Sequence, residues 1–232
     1  MIRPRQRLIA AIDTADLSRA RDLIQVVAPH CGLVKLGLEA FCALGPAAFD
    51  AAGQKPVFLD LKLHDIPNTV AGAVRALLPR RPSMLTIHAG GGAAMIEAAR
   101  NAAETGGTAR PILLAVTVLT SISAGALSET GVAGGPRQQV LRLARLALGS
   151  GADGLVCSAD EIALLRDAFG AGPVLVVPGI RPKGADAGDQ ARVATPEAAI
   201  AAGADYIVVG RPITSAADPA SAAQAIARSI AR

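Results

Sequence analysis

The chain has 232 residues, 51% of them hydrophobic and 18% charged, a composition that excludes an intrinsically disordered protein. The length is close to the roughly 250 residues typical of one α/β barrel and predicts a single domain spanning 1–232. The net charge of +4 comes from scattered arginines without a basic stripe or an aromatic stacking set, so we expect a small anionic substrate rather than nucleic acid.

Short β-rich runs alternate with Ala-rich helical stretches eight times along the chain. The predicted strands lie at 8–13, 32–37, 56–63, 84–90, 111–119, 154–158, 174–180 and 206–210. The predicted helices lie at 17–28, 69–78, 93–104, 137–148, 160–168, 196–202 and 219–231, with a less regular one at 39–51. Eight such units predict a closed (β/α)8 TIM barrel, and because alternation alone does not prove closure, an open doubly wound sheet is the alternative.

Two connections are longer than the others, 120–136 after the fifth predicted strand and 181–192 after the seventh. Loops that follow barrel strands lie at the face that carries activity. We therefore expect both segments to act as lids over a site.

Charged residues cluster where the first three predicted strands end. In the segment DLKLHDIPNT, 60–69, alternation at period two puts Asp60 and Lys62 on one face of the strand, and Asp65 follows. Asp13 ends the first strand, and Lys35 lies near the end of the second. If the barrel closes, all five charges converge on one mouth.

A single Asp–Lys pair at a strand end would most simply be a structural ion pair. Five charges from three consecutive strands favour a catalytic site, because barrel interiors are normally filled with Val, Ile and Leu. Neighbouring carboxylates would keep each lysine ammonium charged, which makes it a fixed proton donor. For His64 and His88 we expect hydrogen bonds that hold nearby loops rather than catalysis.

The last two predicted strands end in a different chemistry. Arg181 follows the seventh strand, and Gly210 and Arg211 end the eighth. The loops after strands 7 and 8 recurrently form a phosphate site in this fold. The alternative is that Gly-Arg-Pro is only a turn, but a proton-donor array across the same mouth favours phosphate binding.

Four motifs resemble the shorter, bacterial type of the orotidine 5′-monophosphate decarboxylase family: DLKLHDIPNT, TVLTS at 117–121, VVPGIRP at 176–182 and VVGRPI at 208–213. The resemblance runs nearly from end to end. Two sister families share D-x-K-x-x-D, the 3-keto-gulonate 6-phosphate decarboxylases and the hexulose phosphate synthases. The IPNT continuation and the pair Gln190 and Arg211 argue against both of them.

The resemblance implies a catalytic role for each charge of the motif. Lys62 would give its proton to C6 of the substrate ring, and Asp60 would lie against the substrate carboxylate. Asp13 and Lys35 would hold the ribose hydroxyls and the charge network. Asp65 would complete the catalytic set.

The resemblance also implies the substrate, its other contacts and the assembly. The enzyme would convert orotidine 5′-monophosphate to UMP and carbon dioxide in de novo pyrimidine biosynthesis, with no cofactor and no metal. Asp65, Ile66 and Thr69 would reach into the partner subunit's site, which predicts a homodimer. The remaining substrate contacts would be Thr120, Pro178, Arg181, Gln190, Gly210 and Arg211.

Two other functions stay open from the sequence. One is a metal-dependent sugar-phosphate decarboxylase or aldolase of the same superfamily, with Asp60 and Asp13 as metal ligands. The other is a phosphate-ligand binding protein without chemistry, which has no use for Lys62 between carboxylates.

The remaining sequence features predict a cytoplasmic protein. Three cysteines, Cys31, Cys42 and Cys157, fit no metal or disulfide spacing and are expected to be reduced and mostly buried. The N-terminal apolar stretch ends at Asp13, too soon for a signal sequence, and no apolar run approaches the roughly 20 residues of a membrane span.

Overall fold

Eight parallel strands form a closed barrel in the computed structural model, which describes residues 4–183 and 193–231. The strands follow each other in chain order, and β1 pairs with both β2 and β8, which closes the ring. The predicted (β/α)8 barrel is confirmed, and the open sheet was wrong. The strands are β1 Leu8–Ala11, β2 Leu33–Leu36, β3 Val57–Leu63, β4 Met84–His88, β5 Ile112–Val116, β6 Gly154–Val156, β7 Val174–Val177 and β8 Tyr206–Val209.

Helices connect the strands and pack around the outside of the barrel. The long predicted helices are all present, with ends shifted by one or two residues. They are α1 Leu17–Val27, α2 Leu38–Leu44, α3 Ala48–Ala52, α4 Pro67–Leu77, α5 Ala93–Glu104, α6 Ala124–Glu129, α7 Pro136–Gly149, α8 Ile162–Phe169, α9 Pro196–Ala201, α10 Arg211–Thr214 and α11 Pro219–Ser229.

The structure differs from the prediction at three kinds of place. The helix predicted at 39–51 is broken into α2 and α3, because Gly45 has a positive φ of 56° and Pro46 follows it. The connection 120–136 contains α6, which the sequence analysis missed. Most strands end two or more residues earlier than predicted, because the residues that follow the ladder turn away to form the loops of the mouth.

The barrel interior is filled by a layer of large apolar side chains below the charged mouth. Alternate residues of the strands point inward and pack against each other. This layer closes the bottom of the site, so the mouth is a cavity rather than a pore. The layer consists of Ile9, Leu33, Phe58, Met84, Leu114, Val176 and Val208.

The similar phrases SGADGLV and AGADYIVV have the same structural role at the opposite end of the barrel. Asp153 precedes β6, and its carboxylate accepts the N–H of Leu113 at 2.7 Å. Asp205 precedes β8 and accepts the N–H of Leu175 at 2.8 Å. Arginines neutralise both carboxylates: Arg100 and Arg110 bind Asp153, and Arg166 binds Asp205. Each aspartate therefore ties its own strand to the preceding one.

The cysteines and the helix lengths bear on two further predictions. Cys31 and Cys157 are buried but Cys42 is exposed, and all three thiols are free. Across 4–183 and 193–231, no helix combines the length and the apolar character needed to cross a membrane.

Replacement of Asp153 should destabilise the fold through these lost hydrogen bonds. Asp153→Ala removes the acceptor for the Leu113 N–H and for two arginines, so we expect the free energy of unfolding to fall by about 2 kcal/mol. Urea denaturation at pH 7 measures the change. Asp167→Ala, an exposed position on α8, is the control and should change stability by under about 0.5 kcal/mol.

The stability that Asp153 contributes should depend on pH. Burial alone would raise the pKa of Asp153, but Arg110, the Leu113 N–H and Arg100 together hold it below its ordinary value. A lowered folded-state pKa contributes stability above the unfolded value of about 3.9 and loses it as the pH falls through the folded value. The difference between wild type and Asp153→Ala should therefore shrink below about pH 4; a difference that persists in acid would contradict this account.

Candidate active site

A cavity of about 570 Å³ opens at the carboxyl ends of the strands. This volume lies within the range of small-molecule sites, and the position is the one at which barrel enzymes carry their chemistry. Of the residues predicted for the site, those that line this cavity are Asp13, Lys35, Asp60, Lys62, Thr120, Pro178, Arg181, Gly210 and Arg211.

One carboxylate between two ammonium groups lines the cavity. Lys35 Nζ lies 3.2 Å from Asp60 Oδ2, and Lys62 Nζ lies 2.9 Å from Asp60 Oδ1. The Asp60 side chain is only 12% exposed, whereas that of Lys62 is 30% exposed and reaches the cavity. Burial alone would raise the pKa of Asp60, but the charges of Lys35 and Lys62 outweigh it and hold that pKa below its ordinary value. The site therefore keeps a carboxylate ionised although it is largely buried from solvent.

Asp60 and Lys62 meet on one face, as predicted, although β3 is not regular there. The pairing with β4 shifts between Leu59 and Leu63, so the chain accommodates two extra residues on β3. Lys62 itself has a φ of 50°, in the left-handed region that a non-glycine residue rarely adopts. An alternating strand would not contain this distortion, and the sequence analysis did not predict it.

Thr86 on β4 contacts this irregular segment and was missed by the sequence analysis. Its Oγ1 accepts the Lys62 N–H at 2.8 Å and donates to Asp60 Oδ1 at 3.0 Å. Thr86 is completely buried. The signal in the sequence was a single hydroxyl within the apolar strand MLTIH, at a position that alternation directs into the barrel.

Asp13 lines the same cavity but its carboxylate is also a helix cap. Oδ1 accepts the N–H of Ala40 in the first turn of α2 at 2.8 Å. A Cβ at Gly37 would lie 2.1 Å from Asp13 Oδ2, so only glycine leaves room for this carboxylate. The described ion pairs of the mouth join Lys35, Asp60 and Lys62, so Asp13 is held beside this network by the backbone of α2.

Asp65, Ile66 and Thr69 lie outside the cavity. Asp65 is exposed and accepts the N–H of Ile66 at 2.6 Å. Ile66 is 67% exposed, which is unusual for a large apolar side chain, and Thr69 is exposed in the first turn of α4. These residues form a surface beside the mouth of their own chain, so the five predicted charges do not all converge in one cavity.

The predicted phosphate residues lie together at the ends of β7 and β8. Arg181 is only 8% exposed, and its Nη1 donates to the carbonyl oxygen of Ile180 at 3.0 Å. Arg211 is exposed and lines the cavity beside Gly210. Two guanidinium groups at one end of the cavity suit an anion. Gln190 lies outside the described residues, as does most of the predicted lid at 181–192, because the structure does not describe 184–192.

Several lining residues were not predicted at all. Arg19 and Glu39 come from the first helical turns after β1 and β2, and no sequence pattern indicates that those turns border the mouth. Cys157 directly follows β6, as several other lining residues follow their strands. Its place at a strand end is the sequence signal that could have found it. Burial raises the pKa of the Cys157 thiol, so this side chain is an apolar wall rather than a nucleophile. The unpredicted polar lining residues are Thr14, Arg19, Glu39 and Thr214.

His64 and His88 form a stacked pair next to Lys62. Their ring centroids are 5.1 Å apart and the planes differ by 14°. His88 Nδ1 accepts the N–H of Gly90 at 3.2 Å, as expected for a residue that holds a loop. Burial, then His64 and Lys62, lower the pKa of His88, which favours the neutral ring.

The donor set of the mouth is cationic rather than metal-ligating. Within the described part of the chain, no three His, Cys, Asp or Glu side chains group as metal ligands would. The two carboxylates considered as ligands, Asp60 and Asp13, accept from ammonium groups and from a backbone N–H respectively.

A closed (β/α)8 barrel with a charged cavity at its carboxyl-terminal mouth defines a barrel enzyme. Comparison with known proteins then gives the family. Residues 6–226 match the model of the Orotidine 5′-phosphate decarboxylase / HUMPS family. The orotidine 5′-phosphate decarboxylase of Anaeromyxobacter sp. (strain K) is 56% identical over 228 residues, covering 97% of this chain and 99% of that protein.

Two other relatives agree. The orotidine 5′-phosphate decarboxylase of Gluconobacter oxydans (strain 621H) is 56% identical and covers 98% of each chain. The crystal structure of orotidine 5′-phosphate decarboxylase from Lactobacillus acidophilus superposes with a TM-score of 0.87 at 39% identity, over 97% of this chain and 99% of that one. The chain therefore belongs to the orotidine 5′-phosphate decarboxylase family, and it is a carboxy-lyase.

Proposed function

We propose that this chain, acting as one domain over 1–232, converts orotidine 5′-monophosphate to UMP and carbon dioxide in pyrimidine biosynthesis, with Lys62 as the proton donor. The observation that carries the proposal is the ion-pair network Lys35–Asp60–Lys62 in the cavity. Its cations are positioned before substrate arrives. Family membership independently supports the same reaction.

Lys62 supplies the electrostatic stabilisation that the reaction needs. Breakage of the bond between C6 and the carboxyl carbon leaves the electron pair on C6, and the ring has no obvious sink for it. A fixed ammonium next to C6 stabilises this charge as it develops and needs little reorganisation. The same Nζ then transfers a proton to C6, which completes UMP and leaves Lys62 neutral until it is reprotonated.

Asp60 has two effects in this scheme. Its carboxylate holds both ammonium groups in place, because each of its oxygens accepts from one of them. Its retained negative charge also lies where the substrate carboxylate would bind, so repulsion is relieved as carbon dioxide leaves. Lys35 contributes by keeping Asp60 ionised and, with Asp13, by offering hydrogen bonds to the ribose hydroxyls.

The phosphate would bind at the other end of the cavity, away from the bond that breaks. Arg211 and the buried Arg181 offer guanidinium groups, Gly210 offers backbone, and Pro178 and Thr120 border the space for the pyrimidine. Gln190 is proposed as a further phosphate contact. Binding energy from this remote group can be used to orient C6 against Lys62, so it raises the rate as well as the affinity.

The active enzyme is proposed to be a homodimer in which Asp65, Ile66 and Thr69 complete the partner subunit's site. The support is their position: all three are exposed next to the mouth, and Ile66 presents an apolar side chain to solvent. A second copy would cover this surface and bring a carboxylate to the edge of the neighbouring cavity.

Removal of the Lys62 ammonium should abolish catalysis. For Lys62→Ala we expect kcat to fall by about 10³-fold or more, because both charge stabilisation and proton donation are lost. Carbon dioxide release from orotidine 5′-monophosphate, measured with and without EDTA, gives the rate. A folded variant that keeps its turnover would refute the proton-donor role, and loss of wild-type activity in EDTA would favour a metal-dependent lyase.

Lys55→Ala is the matched control for this variant. Lys55 precedes β3, at the opposite end of the barrel, and its Nζ donates to the carbonyl oxygens of Ala28 and Cys31. Its replacement should lower stability and leave kcat within about twofold, since it lies outside the cavity.

The phosphate role of Arg211 can be tested with two substrates. Arg211→Ala should lower kcat/KM for orotidine 5′-monophosphate by about 10²-fold while leaving the slow reaction of orotidine, which lacks the phosphate, unchanged. Arg145→Ala, an exposed position on α7, should change neither rate. Equal losses with both substrates would remove Arg211 from the phosphate site.

Sharing of the site between subunits predicts complementation. Lys62→Ala and Asp65→Ala homodimers should each be inactive, whereas a mixed dimer has one site with both defects and one intact site. After subunit exchange we expect activity approaching about a quarter of wild type. The pair Lys62→Ala and Asp60→Ala, whose residues lie in one cavity, should give no recovery; equal behaviour of both mixtures would count against sharing.

A further inference from the structure

We propose that Thr86 is a positioning residue for the decarboxylation, because its hydroxyl fixes the Lys62 backbone and the Asp60 carboxylate relative to each other. The inference rests on the proposed function. Thr86 does not line the cavity, so it would act through Lys62 and Asp60 rather than on the substrate.

The direction of each hydrogen bond follows from the chemistry of a hydroxyl. Thr86 Oγ1 accepts the Lys62 N–H at 2.8 Å, which uses one of its lone pairs. Its single proton is then available for Asp60 Oδ1 at 3.0 Å, an acceptor without a proton of its own. One buried oxygen thus bridges the backbone of the proposed proton donor and the carboxylate that binds its ammonium.

The irregular strand explains why this bridge is needed. The pairing of β3 with β4 is interrupted between Leu59 and Leu63, so the Lys62 N–H has left the regular ladder. Lys62 is also held at a φ of 50°, a strained conformation that persists only where its surroundings determine it. The Thr86 hydroxyl replaces the lost ladder acceptor and so favours this backbone geometry.

The same hydroxyl limits the rotation of Asp60. Oδ1 receives two hydrogen bonds, from Lys62 Nζ at 2.9 Å and from Thr86 Oγ1, while Oδ2 faces Lys35. Without the Thr86 proton, the carboxylate is held only by two flexible lysine side chains. The Lys62 ammonium would then move with it, and displacements of about 1 Å at a reacting group can cost about 10²-fold in rate.

The test is Thr86→Val, which keeps the shape of the side chain and removes both hydrogen bonds. We expect kcat for orotidine 5′-monophosphate to fall about 10²-fold, with KM changed by less than about threefold because the phosphate end is untouched. Thr86→Ser should restore most of the rate. Thr86→Ala gives the same readout as valine should the valine variant not fold.

Thr117→Val is the matched control. Thr117 follows β5, is 1% exposed, and its Oγ1 contacts only the carbonyl oxygen of Val156 among the bonds described, at 3.4 Å. Its replacement should leave kcat within about twofold. A folded Thr86→Val with a kcat within threefold of wild type, or an equal loss in Thr117→Val, would overturn the proposal.

A second measurement separates this proposal from the proposed function. The carboxyl ¹³C resonance of Asp60, followed against pH without substrate, should titrate at higher pH in Thr86→Val than in wild type, because the ionised form loses a hydrogen-bond donor. An unchanged titration would refute the bridge. Wild-type protein that releases no carbon dioxide would refute the proposed function instead, and the titration would still decide whether Thr86 holds Asp60.

Discussion

The ionised carboxylate of Asp60 is the feature on which the mouth of the barrel depends. Burial penalises its charge, and one cation on each oxygen offsets that penalty, so Lys35 and Lys62 must both be present and both be close. The apolar layer around Phe58 and Met84 lies below this network and excludes water from that side. The result is a pair of ammonium groups whose positions are determined before any substrate binds.

The two ends of the barrel divide stability and function between them. At the amino-terminal end, Asp153 and Asp205 use their carboxylates to bind the N–H of the preceding strand, and arginines neutralise them. At the carboxyl-terminal end, Asp60 binds lysine side chains that reach the cavity, and Asp13 binds a helix backbone beside it. Aspartate therefore links neighbouring strands at one end of the barrel and positions lysine ammonium groups at the other.

Strain at Lys62 lies where function requires a departure from regular structure. A regular β3 would continue its ladder with β4, and its N–H groups would donate alternately to the two neighbouring strands. The observed shift in pairing releases the Lys62 N–H to Thr86 and accommodates the extra residues at the mouth. The neighbouring stack of His64 on His88 packs against the loop that follows β4, so this irregular segment is supported on a second side.

Because alternation alone fits an open sheet as well, closure of the barrel was decided by the tertiary structure. The sequence alone determined the eight alternating units of strand and Ala-rich helix and favoured a barrel at this chain length. It also determined which strand ends carry charge, since Asp60, Lys62, Lys35 and Arg211 stand next to apolar runs. Local patterns could not show that Asp13 caps α2, that Asp65 lies outside the cavity of its own chain, or that Thr86 bridges Lys62 and Asp60. Those facts depend on which strands become neighbours and in which register, and only tertiary packing decides this, because an irregular pairing of two residues leaves no signature in the spacing of apolar side chains.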